Sequence, residues 1–126
     1  MPPTPQPLAA VALGGLLVGA GATHFAFPAF YDPMIPRQLP GKPRTWTYGS
    51  GVVEIAVATA VLARRTRRHG ALAAALLFTG VLPANIKMAI DARGSDSAAY
   101  RAGTILRVPL QAPLIGWALR VRRRAR

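Results

Sequence analysis

The chain has 126 residues, 52% of them hydrophobic, with 16 Lys and Arg against only 4 Asp and Glu, and no cysteine. Its length fits one domain, and so apolar a chain with so few acidic groups lacks the polar surface of a small soluble one. Without cysteine there is no disulfide, thiolate nucleophile, dithiol redox centre or thiolate metal site. The formal charge of +12 does not read as a nucleic-acid footprint, because nine of the sixteen basic residues form two short clusters beside apolar runs, a placement that suits an anionic membrane surface.

Met1 to Pro7 carries four prolines and no charged side chain and reads as a disordered lead-in, 1–7. Leu8 to Phe30 is apolar apart from Thr23 and His24. At about 1.5 Å per residue it can cross a hydrocarbon layer about 30 Å thick, so it is taken as a first transmembrane helix. A signal peptide is the competing reading, from Ala20-Gly21-Ala22, but no basic segment precedes it. Tyr31 to Arg44 is crowded with prolines and charges and is expected to be a non-helical loop, with Tyr31, Trp46 and Tyr48 as an interfacial aromatic belt. The second span is about 45–63, broken chemically only by Glu54, and the cluster Arg64-Arg65-Thr66-Arg67-Arg68-His69 ends it. The third is about 70–90 and carries Pro83, Asn85 and Lys87. After a polar loop the fourth runs about 103–119, and 120–126 forms a basic tail with five arginines.

The expected fold is therefore all-α, an integral membrane four-helix bundle occupying 8–119. Nine basic residues of the 64–68 and 120–126 clusters share one side, and the positive-inside rule places both termini in the cytoplasm. This makes the chain a multi-pass inner (plasma) membrane protein. Its partners are the bilayer and, at the basic loop and tail, anionic lipids; nucleic acid is not expected.

With that orientation, helix rise puts His24, Glu54, Asn85, Arg107 and Gln111 in the outer half of the membrane, at least one from each span. Isolated ionisable groups in hydrocarbon cost several kcal/mol, about 2.5–3.5 on insertion scales, so the five are expected to share one interior site. Thr104, Arg107 and Gln111 fall on one helix face, as do Ser50 and Glu54. The simplest arrangement is a buried Glu54–Arg107 ion pair with His24, Asn85 and Gln111 completing the hydrogen bonds. Gly15-x-x-x-Gly19 would let the first helix approach a neighbour closely. Against these stand plainer readings: a structural ion-pair staple, a satisfied interior histidine and no metal, an interhelical Asn85 bond, a snorkelling Lys87, and arginine clusters that only signal topology.

Gly21-Ala22-Thr23-His24-Phe25 with Pro28 and Phe30, Pro36 to Pro40, Gly49-Ser50-Gly51-Val52-Val53-Glu54, Pro83-Ala84-Asn85-Ile86-Lys87-Met88 and Arg107-Val108-Pro109-Leu110-Gln111 with Trp117 together resemble the DoxX-like family of small four-helix membrane proteins. The resemblance implies a four-helix bundle with cytoplasmic termini and an association with quinone-linked thiosulfate oxidation or with membrane complexes handling thiol and oxidative stress, of which the thiol-exchange role does not suit a chain without cysteine. Two readings follow. One is a ligand-binding accessory of a membrane redox complex, with a quinone as its cofactor and a membrane redox partner or a second copy beside it; the other is a non-catalytic scaffold or assembly factor whose polar cluster is structural. A transporter is disfavoured, because one four-helix unit has no second half unless it dimerises. Catalysis is left undecided.

Overall fold

A computed structural model describes residues 7–125; residues 1–6, most of the expected lead-in, and Arg126 lie outside the described residues. Among the described residues every regular element is helical: α1 Leu8–Ala26, a single turn α2 Pro28–Tyr31, α3 Pro43–Leu62, α4 Arg67–Gly80, α5 Leu82–Asp91 and α6 Ala98–Arg124, with short 3-10 turns at Asp32–Met34 and Ala92–Gly94. Two helical segments, Leu8–Ala26 and Arg67–Gly94, are long and apolar enough to cross a membrane, with mean hydropathies of 1.7 and 1.6.

Prolines set several of these boundaries. Pro28 lacks an N–H and starts the single turn α2, so α1 stops at Ala26 and Phe27 leaves the helical region at φ −132° and ψ 57°. Pro43 occupies the first position of α3, where a missing donor costs nothing. Pro83 at the start of α5 accompanies the break at Val81, so α4 and α5 follow each other across one residue. Pro109 and Pro113, by contrast, lie inside α6, which runs unbroken from the Ser97 cap, whose hydroxyl accepts the Tyr100 N–H, to Arg124. Part of the expected 91–102 loop and most of the basic tail are thus helical.

The helices pack in a ring: α1 mainly on α3, α3 on α4, α4 and α5 on α6, and α6 back on α1. One half of the ring is dry. Leu13 and Leu17 of α1, Ala58 and Val61 of α3, Ala71 and Ala74 of α4, and Ala118 of α6 are fully or almost fully buried there. Close approach depends on glycine at Gly21 and Gly51, where an added Cβ at Gly51 would meet Phe25 at 2.7 Å and the His24 Cβ at 2.9 Å. Gly15 and Gly19 face open space, so the Gly15-x-x-x-Gly19 motif is not what seats α1 on α3; Gly14 and Gly21, one register over, face the neighbour instead.

At the dry end the arginines do more than carry charge. Arg67 is only 6% exposed, and its guanidinium donates to the Val61 carbonyl at 2.8 Å and the Leu62 carbonyl at 2.9 Å, capping the carbonyl end of α3. Arg122 donates to the Arg68 carbonyl at 3.4 Å, which brings the two basic clusters together. At the other end Lys87 does not snorkel free; its Nζ donates to the Pro33 carbonyl at 2.8 Å and pairs with Asp91 at 2.6 Å, tying the 31–44 loop to α5. In that loop Asp32 accepts from the Thr47 hydroxyl at 2.7 Å and from Arg44 at 3.0 Å. The Thr47 hydrogen bond first, with Arg44 beside it, holds the Asp32 carboxyl below its ordinary value.

Large apolar side chains are exposed on every long helix, among them Val18 on α1, Val52 on α3, Leu76 on α4, Ile90 on α5 and Leu106 on α6.

Candidate functional site

The half of the ring away from the packed core is hollow. A cavity of about 260 Å³ lies there, and His24, Glu54, Asn85, Arg107 and Gln111 all line it, together with Tyr31, Thr47 and Ser50. Leu17, Phe78 and Leu114 supply apolar wall. The volume is roughly that of nine water molecules at about 30 Å³ each, and slightly below the range of about 300–1,000 Å³ usual for a drug-sized ligand.

His24 is 8% exposed and fixed from two directions. Its Nδ1 lies 2.8 Å from the Ala20 carbonyl, which can only accept, so Nδ1 carries the proton and Nε2 has the lone pair in the neutral ring. The Tyr31 ring stacks on the imidazole at 3.9 Å and 12°. Thr23 donates to the same Ala20 carbonyl at 2.6 Å, which leaves its oxygen to accept the Tyr31 hydroxyl, also at 2.6 Å. The break at Phe27 and the turn of α2 carry Tyr31 back over His24. Tyr31, expected in an interfacial aromatic belt, is thus also a wall of the cavity. The apolar run in the sequence predicts a first helix through Pro28 to Phe30, whereas the chain breaks at Phe27 and restarts at Pro28, which is what folds Tyr31 back.

Glu54 lies against α1, with Oε2 3.4 Å from His24 Nδ1. Because that N–H is directed at Ala20, the contact is a carboxyl–ring proximity without a hydrogen bond, and Oε2 is buried without a partner among the described residues. Arg107 lies against α5 and directs one guanidinium nitrogen at the Met88 sulfur, 3.6 Å away. The expected Glu54–Arg107 ion pair is therefore not formed. The physical reason is topological: α3 and α6 stand diagonally across the ring, and the cavity separates the two charges. Asn85 is 3% and Gln111 7% exposed, and the Gln111 Oε1 is the second buried oxygen without a partner.

The lining thus combines a carboxylate, an imidazole with one nitrogen committed, a guanidinium and two amides. Such a set can accept from and donate to a small polar ring, and Glu54 and His24 can each hold a proton beside it. Among the described residues no three His, Cys, Asp or Glu side chains come together as a metal site would need.

A family model described as Domain of unknown function (DUF8561) matches residues 13–122. The chain belongs to that family. No curated protein and no solved structure matches the chain. The cavity of this DUF8561 protein, including all five polar residues, falls inside the matched stretch. Thr47 and Met34, which also line it, had no signal in the sequence beyond their position: Thr47 reads as one polar residue among several at a helix start.

Proposed function

We propose that this DUF8561 protein is a multi-pass protein of the inner membrane, a four-helix bundle of the DoxX-like type with both termini in the cytoplasm. In this reading its outer-half cavity holds the head group of a lipophilic ligand of the quinone class, as an accessory to a membrane redox complex. The observation that carries it is the cavity itself: five polar side chains from four helices, α1, α3, α5 and α6, line one space, and two buried oxygens there, Glu54 Oε2 and Gln111 Oε1, have no partner among the described residues. A pure staple would satisfy its own polar atoms, because an unmet buried acceptor costs about 1–3 kcal/mol.

The membrane assignment draws on the two apolar helical segments, on the exposed Leu, Ile and Val of the remaining helices, and on the joined arginine clusters at one end. A quinone fits the donor set on chemical grounds. Arg107 and Asn85 offer donors to ring oxygens, Glu54 and Gln111 offer acceptors to ring hydroxyls, and Tyr31 with Phe78 and Leu17 gives flat and apolar wall. When bound, the quinone would supply the electron-carrying group; the protein would orient it, exclude water and hold protons at Glu54 and at His24 Nε2.

The test is organic extraction of the natively purified protein followed by mass spectrometry for quinones. Near-stoichiometric quinone in the wild type, lost in His24→Ala and Glu54→Ala variants that keep their helical circular dichroism, is the expected outcome. Absence of quinone from the wild type, with an unchanged cellular phenotype in both variants, would leave the scaffold reading standing in its place.

A further inference from the structure

The opposite end of the bundle carries a second concavity, a groove of about 410 Å³ lined by Ala9, Pro113, Gly116, Trp117, Arg120 and Arg123. Its floor is built by a specific link across the chain: the Trp117 indole N–H donates to the Ala9 carbonyl at 3.0 Å, pinning the last third of α6 to the first turn of α1. Beside this link Gly116 contributes no side chain, and an added Cβ there would meet nothing within 4 Å, so the groove is open along α6. At its rim Arg120 and Arg123 lie three residues apart, on one face of the helix and one turn beyond Trp117.

Both arginines are exposed, and neither guanidinium makes a hydrogen bond or ion pair with any described residue. No acidic side chain is near enough to serve them. The four in the sequence are Asp32, Glu54, Asp91 and Asp96; Asp96 precedes the first turn of α6, while the arginines sit about 36 Å further along the helix at 1.5 Å per residue. Two uncompensated guanidiniums at one end of a glycine-opened groove, with Pro113, Ala9 and Trp117 as its apolar part, match an amphiphile with an anionic head and a hydrocarbon tail. An indole at the same level is the usual marker of the boundary between hydrocarbon and head groups.

We infer that this groove is a binding site for one anionic phospholipid of the cytoplasmic leaflet, its phosphate held between Arg120 and Arg123 and one acyl chain lying over Gly116 and Pro113. The inference rests on the reading of the chain as a membrane protein, and it is independent of the quinone cavity.

Native mass spectrometry of the delipidated, detergent-solubilised full-length chain, titrated with dioleoylphosphatidylglycerol or dioleoylphosphatidylcholine, tests it. One phosphatidylglycerol is expected to be retained at least about tenfold better than phosphatidylcholine, since each basic residue near an anionic surface adds a comparable increment. Arg120→Gln with Arg123→Gln, and separately Gly116→Leu, which fills the groove but keeps both charges, should each lower retention about tenfold. Arg65→Gln with Arg68→Gln should leave it unchanged. Equal retention in Gly116→Leu, or an equal loss in the Arg65/Arg68 variant, would reduce the effect to general charge attraction and overturn the site. Competition by millimolar glycerol 3-phosphate as effective as that of the lipid would also overturn it, showing a free-phosphate site instead. Carbonate washing of the native membranes separates the two levels: release of the chain would defeat the membrane reading and the inference together, whereas retention with no lipid selectivity would defeat the inference alone.

Discussion

Glu54 sits 3.4 Å from a histidine nitrogen whose proton is committed elsewhere, and across a cavity from the arginine that its charge would suggest as a partner. Removing it should therefore relieve an unmet acceptor rather than break a bond. Glu54→Leu is expected to leave thermal stability in detergent unchanged or to raise it by about 1 kcal/mol, and Arg107→Ala combined with it should give additive effects, with a coupling below about 0.5 kcal/mol. A coupling of 2 kcal/mol or more, of the size that a broken buried pair produces, would restore the ion pair and remove the argument for an open site. The residues of this layer were legible in the sequence because helix rise alone fixes the depth of a side chain. Their pairing was not, because which helix faces which is decided by packing across the ring.

At the scale of helices, the seat of α1 on α3 is set by which glycines face the neighbour. Gly51 admits no Cβ without contact to Phe25 at 2.7 Å and His24 at 2.9 Å, whereas Gly15 has nothing within 4 Å. Gly51→Ala is thus expected to cost about 1–3 kcal/mol by overpacking, and Gly15→Ala to be neutral or to stabilise by up to about 1 kcal/mol through helix propensity. Thermal unfolding of the two variants side by side decides it; equal destabilisation would mean that α1 packs through the Gly15 face. A motif search finds Gly15-x-x-x-Gly19 first, yet a spacing of four says only that two residues share a face, not which object that face meets. Arg67 teaches the same point: in sequence it is one of four arginines in a topology signal, and only the turn from α3 to α4 buries it against the Val61 and Leu62 carbonyls.

For the whole molecule, the joined arginine clusters, the Trp117–Ala9 link and the tie of Lys87 to the 31–44 loop put the start of α1, the end of α6 and the 64–68 segment at one pole and the 31–44 and 91–97 segments at the other. In a bilayer this predicts cytoplasmic termini. A fluorescent protein fused after Arg126 should fluoresce in cells, and alkaline phosphatase fused at the same place should be inactive; the reverse pair would invert the topology. Composition, hydropathy and charge placement by themselves determined that the chain is helical, where its apolar stretches lie, which end collects the positive charge, and that five polar residues share one level. These follow from properties local to a residue or to one helix turn: propensity, rise and side-chain polarity. Tertiary structure alone decided that one half of the ring closes on alanine and leucine while the other stays hollow, that Glu54 and Arg107 face each other across that hollow without touching, and that Tyr31 folds back to cover His24. Those outcomes depend on which helices become neighbours and how closely they approach, which is a sum over many small contacts spread along the chain and is carried by no single motif.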